Sequence, residues 1–182
     1  MTILLSLLYT ALNGIRDTIP VLLAAALHEA GHLCACLMLR VPIRYFRAGP
    51  ARAVIGYDAS AVSYRGEAWI AACGPLFGIL GSAAVLRVPG HGAALFGIAS
   101  LSLALFNLLP IDPLDGSVIL FSLLCCRWDP VTVERIRRGV CRAGTVFLWM
   151  CACAVQLRCG GNLSLLLLSV YLLLRVHTAD IK

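Results

Sequence analysis

His28-Glu29-Ala30-Gly31-His32 lies in the middle of an apolar run, residues 19–39, and contains every Asp, Glu, Lys, Arg and His of that run. In a helix, two histidines four residues apart project from one face, so one metal ion can bind a nitrogen from each. Glu29 lies about 100° around the helix from His28, within reach of a water on that metal, as the general base of a metalloprotease does. An unpaired charge in a bilayer costs several kcal/mol, so these side chains indicate a functional site.

The composition predicts an integral membrane protein. Of 182 residues, 60% are hydrophobic and 13% are charged, with a mean hydropathy of +0.90, whereas a soluble domain has about 45–50% apolar and about 25% charged residues. This length allows several membrane-spanning helices and no separate soluble domain. The net charge of +6 raises the question of nucleic acid. The arginines, however, lie in loops between apolar segments, which indicates orientation in a membrane with anionic lipids and no nucleic-acid partner.

The nine cysteines show no Cys-x-x-Cys pair and mostly fall within apolar segments. They are interpreted as small buried hydrophobic residues in a reducing environment, rather than as disulfides or a second metal site.

Apolar segments and breakers predict an all-α membrane protein with about six transmembrane helices. The predicted helices are residues 3–12, 18–40, 67–86 with an interruption at Gly74-Pro75, 93–126 with a break at 107–117, 143–157 and 162–176. The break contains two prolines and a glycine, which cannot continue a regular helix. Irregular backbone at membrane depth requires protein or a water-filled cavity around it, so the break is predicted to face the active site.

Two polar regions separate these helices. Residues 41–66 predict two short strands, 43–47 and 53–57, joined through Gly49-Pro50 as a membrane-associated β-hairpin; the alternative is a plain loop. Residues 127–142 predict a basic interfacial helix that orients the chain. Before the second predicted helix, Thr18 is a candidate N-cap.

A hydrolytic zinc site usually has three protein ligands and one position for water. His28 and His32 supply two. The third ligand could come from Asp112 or Asp115 in the break, or from Cys36 one turn beyond His32.

Three short motifs then resemble one family. HEAGH at 28–32, NLLP at 107–110 and PLDG at 113–116 are similar to the motifs of the site-2 protease family of intramembrane zinc metalloproteases. The compact six-helix group of stage IV sporulation protein FB is the most similar group. Gly74-Pro75 resembles an element of the family's third helix. Asp112 departs from the family pattern, because an apolar residue is more usual there.

The resemblance implies one Zn²⁺ per chain, with Glu29 as the catalytic base. The implied zinc ligands are His28, His32 and Asp115. The residues implied in substrate binding or transition-state support are Asn107, Pro110, Pro113 and Gly116. The implied substrate is a membrane protein, such as a membrane-tethered transcription regulator or a pro-sigma factor.

The sequence thus predicts a single transmembrane metalloprotease domain over residues 1–182, without a PDZ or CBS domain, in the lipid bilayer of a bacterial cell membrane. If all six segments cross, twelve of the 15 Lys and Arg residues lie on one side, which places both termini and the opening of the site in the cytoplasm. The alternative is a membrane metal-binding or transport protein without hydrolytic activity. That protein would place polar residues along a path across the bilayer, whereas here they converge at one depth. The sequence names neither the substrate nor a regulatory membrane partner.

Overall fold

The computed structural model describes residues 15–41, 43–48, 53–57, 62–159 and 169–173. In chain order its elements are α1 (Ile15–Met38), β1 (Ile43–Ala48), β2 (Ala53–Tyr57), α2 (Tyr64–Val85), α3 (His91–Asn107), α4 (Asp115–Cys125) and α5 (Pro130–Cys159). Residues 169–173 are also helical. The chain divides into two compact units, Met1–Leu108 and Leu109–Lys182.

Three helices of the described chain are long and apolar enough to cross a membrane. They are Arg16–Met38, Tyr64–Val85 and Pro130–Val155, whereas α3 and α4 are shorter apolar helices. The six predicted spans are therefore seen only in part. The predicted helix at 3–12 lies outside the described residues, and only residues 169–173 of the last predicted helix lie within them. Large apolar side chains are exposed on these helices, as expected where lipid covers them, and include Leu22, Leu23, Leu37, Leu80, Ile98, Leu105 and Phe147.

Helix α1 begins earlier than the sequence predicted and ends in a defined cap. Thr18 lies inside the helix and is buried, so its predicted role as the N-cap is wrong. At the other end, Arg40 adopts a φ of 54°. The Arg40 amide donates to Leu37 O at 3.1 Å, and the Val41 amide donates to Cys36 O at 2.9 Å. These two bonds form a Schellman motif, which satisfies the last carbonyls of the helix.

The first unit has a small buried cluster just beyond this cap. Val41, the residue after the left-handed position, packs with Cys36 of α1 and with Ile70 and Cys73 of α2. The end of α1 is thereby attached to the middle of α2.

Helix α2 begins at a regular N-cap and continues without a break to Val85. Ser63 Oγ accepts a hydrogen bond from the Gly66 amide at 3.2 Å. The predicted interruption at Gly74-Pro75 is wrong, because both residues lie within the helix. Small residues allow α2 and α3 to pack closely. A Cβ added to Gly78 would lie 3.0 Å from Ser100 O and 3.1 Å from Ala104 Cβ.

The two strands pair antiparallel, with Arg47 opposite Val54 and Ala48 opposite Ala53. The register is irregular between Ile43 and Tyr45. They occupy the segments in which the sequence predicted a hairpin or a loop. The turn at residues 49–52 lies outside the described residues, and the association of this pair with a membrane stays a prediction.

The break between α3 and α4 is present at residues 108–114, within the predicted segment. Two short-range bonds shape it. The Ile111 amide donates to Leu109 O at 2.8 Å, and the Leu114 amide donates to Ile111 O at 2.7 Å. Ser117 Oγ then donates to Leu114 O at 2.9 Å, at the start of α4. The backbone polar groups of this segment therefore find partners close by, as buried irregular backbone requires.

Helix α5 is one continuous helix of 30 residues. The sequence predicted a basic interfacial helix followed by a separate apolar segment, and this division is wrong. Asp129 Oδ2 accepts from the Thr132 amide at 2.8 Å and caps the helix. Glu134 accepts two hydrogen bonds from Arg137, each of 2.8 Å. Ion pairs at this spacing stabilise a helix, so this pair supports the charged first turns of α5. The apolar turns follow in the same helix.

The eight cysteines whose side chains are described, from Cys34 to Cys153, are free. Cys36, Cys73 and Cys141 are buried, as predicted for small hydrophobic residues, whereas Cys126 is exposed.

Candidate metal centre

His28 and His32 face each other on α1, as their spacing predicts. Their Nε2 atoms lie 3.3 Å apart, and the two rings meet edge to face at an interplanar angle of 84°. In a tetrahedral zinc site with Zn–N bonds of about 2.0–2.1 Å, two ligand nitrogens lie about 3.3 Å apart. The two nitrogens are therefore placed as two ligands of one zinc ion. His28 is 5% exposed, so this pair is shielded within the first unit.

A carbonyl of α2 determines which nitrogen of His32 carries the proton. His32 Nδ1 lies 2.8 Å from Ile70 O. Because a carbonyl oxygen can only accept, Nδ1 is the donor in this bond, and the neutral ring has its lone pair on Nε2. A histidine that binds a metal through one ring nitrogen usually donates a hydrogen bond from the other, which fixes its tautomer and orientation.

A glycine one turn further along α2 makes room for the same ring. A Cβ added to Gly74 would collide with Nε2 and Cε1 of His32. Across the contact, a Cβ on Gly31 of α1 would collide with Cys73 O and lie 3.0 Å from the Gly74 Cα. The backbones of α1 and α2 therefore touch beside His32. Ile70 and Gly74 are four residues apart and share a face of α2. Ile70 supplies the carbonyl that accepts from His32, and Gly74 leaves space for the His32 ring.

This role of α2 was not predicted from the sequence. Gly74-Pro75 was interpreted as an interruption of the helix, and Ile70 was not singled out. The Gly74-Pro75 pair was the available signal, but nothing local in the sequence states which side chain occupies the space above a glycine.

Asp115 is the first residue of α4, in the second unit, and its side chain is half-buried. Two imidazole nitrogens and one carboxylate oxygen are the donor set of many hydrolytic zinc sites, in which water occupies the fourth position. The choice of Asp115, rather than Asp112 or Cys36, as the third ligand stays a prediction.

The other predicted residues lie in two places. Glu29 is half-buried on α1 beside the histidine pair. Asn107 ends α3 and uses one amide hydrogen within its own helix, because Nδ2 donates to Leu103 O at 2.9 Å. Pro110 and Pro113 lie half-buried in the break, and Gly116 is buried in the first turn of α4.

Comparison with protein families gives one match. Residues 72–151 match the profile of Peptidase family M50. This M50 segment, residues 72–151, is less than half of the chain and contains Gly74, the break and Asp115. It does not include residues 28–32. The roles of the histidine pair and of Glu29 therefore stay predictions, and the geometry of the pair supports them.

Comparison with solved structures gives the fold. The structure of "Site-2 Protease from Methanocaldococcus jannaschii" is similar with a TM-score of 0.72 and 21% sequence identity, over 97% of this chain and 87% of that one. No curated protein sequence gives a match. The M50 segment, together with a site-2 protease fold, supports a metalloprotease. The narrower resemblance to the sporulation group stays a prediction.

Proposed function

We propose that the protein is an intramembrane zinc metalloprotease that cleaves a peptide bond in or next to a transmembrane segment of a membrane protein. The observation that carries this proposal is the His28 and His32 pair on α1, whose Nε2 atoms lie 3.3 Å apart. Asp115 is the proposed third ligand. Glu29 lies between the two histidines in sequence and supplies the base that a hydrolase requires. The three apolar helices and the M50 segment support a membrane setting.

The residues would divide the work as follows. His28, His32 and Asp115 hold the metal, and the Ile70 carbonyl keeps His32 in the required tautomer. The chemistry supplied by bound zinc is Lewis acidity, which polarises a carbonyl and lowers the pKa of a water to about 7. The Glu29 carboxylate takes the proton of the attacking water and passes it to the nitrogen of the departing amine.

The substrate must present an extended segment, because a helical backbone hides its carbonyls from a nucleophile. In the described residues the sheet has two strands, so β1 and β2 each keep one edge with which an extended peptide can pair. A membrane-tethered transcription regulator or a pro-sigma factor is the proposed substrate class. We further propose that residues 1–182 act as a single protease domain.

The orientation follows from the distribution of basic residues. The polar region at 41–66 and the basic turns of α5 would lie on the cytoplasmic side with both termini, and the site would open toward that side. Labelling of single cysteines introduced into residues 41–66 tests this in intact cells. Efficient labelling from outside the cell would overturn the orientation without affecting the assignment of the enzyme.

The function is tested by replacing Glu29 with Gln, which keeps the size of the side chain and removes the base. Membrane proteins of cells that carry wild-type or E29Q protein are compared for cut and uncut forms, and the zinc content of both purified proteins is measured. We expect E29Q to retain one zinc per chain and to leave the substrate uncut. Identical cleavage patterns in the two cell lines would exclude the proposed hydrolysis.

A further inference from the structure

One face of α5 packs against the break, residues 108–114, that precedes Asp115. Arg137, Cys141 and Gly144 are spaced four and three residues apart, so they lie on a single stripe of the helix. Each of them contacts a residue in the segment from Pro110 to Asp112. All of these residues belong to the second compact unit.

Gly144 brings the break close to the backbone of α5. A Cβ added there would lie 3.1 Å from Ile111 Cγ1 and 4.0 Å from Pro110 O. Ile111 is 2% exposed and is among the largest fully buried side chains of the described chain. The break is therefore packed against α5 as core, and does not lie over it as a loose loop.

Cys141 lies beside the next residue of the break. Its side chain is 3% exposed and is close to the backbone of Asp112. One turn earlier, Arg137 reaches the side chain of the same residue. Its Nη1 lies 3.7 Å from Asp112 Oδ1.

Arg137 is itself held in place from two other directions. Its Nε and Nη2 donate to the two carboxylate oxygens of Glu134, each at 2.8 Å. Its guanidinium carbon lies 5.9 Å from the centre of the Phe121 ring, on α4. A bidentate pair of this kind is more rigid than a single contact. The guanidinium therefore connects α5, the break and α4, the helix that begins with Asp115.

We propose that Arg137 is a positioning residue, which holds Asp112 and thereby sets the place of the Asp115 carboxylate. The inference rests on the proposed function, in which Asp115 is the third zinc ligand. The connection between the two aspartates is short and ordered. The Leu114 amide donates to Ile111 O, and Pro113 restricts the intervening backbone. A displacement at Asp112 is therefore passed to the first residue of α4.

The test measures zinc affinity of the purified full-length protein in detergent micelles, by competition with a coloured chelator. Arg137→Gln and Asp112→Asn should each raise the Kd for zinc by about tenfold to about a hundredfold, which is the usual cost of losing an outer-shell partner. Because both variants break the same ion pair, the double variant should be little weaker than either single one. Arg137→Lys keeps the charge near Asp112 and should recover part of the affinity.

Arg138→Gln is the matched control. Arg138 lies 3.6 Å from Glu134 and on another face of α5, and its replacement removes the same charge. Its zinc affinity should equal that of the wild type. Two readouts separate positioning from general destabilisation. In the metal-free protein, amides in residues 109–117 should exchange hydrogen faster in R137Q than in R138Q. With Co²⁺ as the probe, the visible absorption spectrum should change in R137Q, since it reports the geometry of the ligands.

The outcomes distinguish the inference from the function on which it rests. If wild-type protein binds zinc, Asp115→Asn loses it and R137Q binds as tightly as R138Q, the positioning role is excluded and the zinc site stands. If Asp115→Asn binds zinc as tightly as the wild type, the ligand assignment fails and the inference fails with it. Should R137Q not fold, D112N and the double variant still decide the question, because the same loss is expected from the aspartate side.

Discussion

Replacing Gly74 with Ala adds one methyl group to α2 at the point where that helix touches a proposed zinc ligand. The new Cβ would overlap Nε2 and Cε1 of His32 and lie 2.9 Å from its Cδ2. The ring cannot turn aside without giving up the 2.8 Å bond between Nδ1 and Ile70 O. Moving α2 away from α1 would instead open the close backbone contact between Cys73 and Gly31.

The size of the effect follows from these contacts. Forcing an extra methyl group into a packed interior costs about 1–3 kcal/mol, and a buried hydrogen bond left unmade costs about 1–3 kcal/mol. An outer-shell defect weakens metal binding by about tenfold to about a hundredfold, or about 1.4–2.7 kcal/mol. We therefore expect Gly74→Ala to raise the Kd for zinc within that range and to reduce cleavage at limiting zinc by a similar factor.

Gly81→Ala is the control, because it adds the same methyl group to the same helix. Its Cβ would overlap the terminal methyl of Leu27, a flexible side chain that can rotate away from the contact. Zinc affinity is measured by chelator competition, and the proton on His32 Nδ1 is followed by nitrogen-15 NMR of the imidazoles. The argument is refuted if G74A and G81A bind zinc equally well and the His32 signals of G74A are unchanged.

Three further predictions concern the ligand set, the strands and a helix cap. Asp115→Asn should lose most bound zinc and all cleavage, while Cys36→Ala should keep wild-type zinc affinity; metal analysis of the purified variants decides between them. Proline at Ile43 or Val54 should reduce cleavage without loss of zinc, and a series with unchanged cleavage would exclude strand pairing with substrate. A backbone amide of α5 lowers the pKa of Asp129, so the cap stabilises the helix above the usual pKa of about 3.9 and is lost as pH falls through the lowered value. Protection factors of amides in the first turn of α5, which correct for the intrinsic pH dependence of exchange, should therefore fall at acid pH in the wild type and change little in Asp129→Asn.

The features that were predictable from sequence depend on neighbouring residues. The i, i+4 spacing of His28 and His32 brings them together on any helix, and an apolar run as long as α1 makes that helix certain to be buried or in lipid. The break at 108–114 follows from Pro110 and Pro113, which exclude a regular helix over the same residues. Sequence pattern was less decisive at α5, where the change from charged to apolar residues predicted a division at residue 142 and the structure continues the helix through it.

Features that depend on distant residues required the tertiary structure. The sequence left Asp112, Asp115 and Cys36 open as third ligands before any resemblance was considered, because all three are compatible with the local pattern. The structure pairs Asp112 with Arg137 at 3.7 Å. These partners are separated by many residues, so no local rule connects them.

Local patterns were enough to predict that two histidines and a glutamate lie on one apolar helix, and that a proline-rich break interrupts another. Their surroundings came from the three-dimensional packing: the Ile70 carbonyl on His32, the space left by Gly74, and the contact of α5 with the break. The physical reason is that helix periodicity and proline geometry act within a few residues. Close backbone contact and hydrogen bonds between helices depend on which faces meet, and the packing of the whole chain selects those faces.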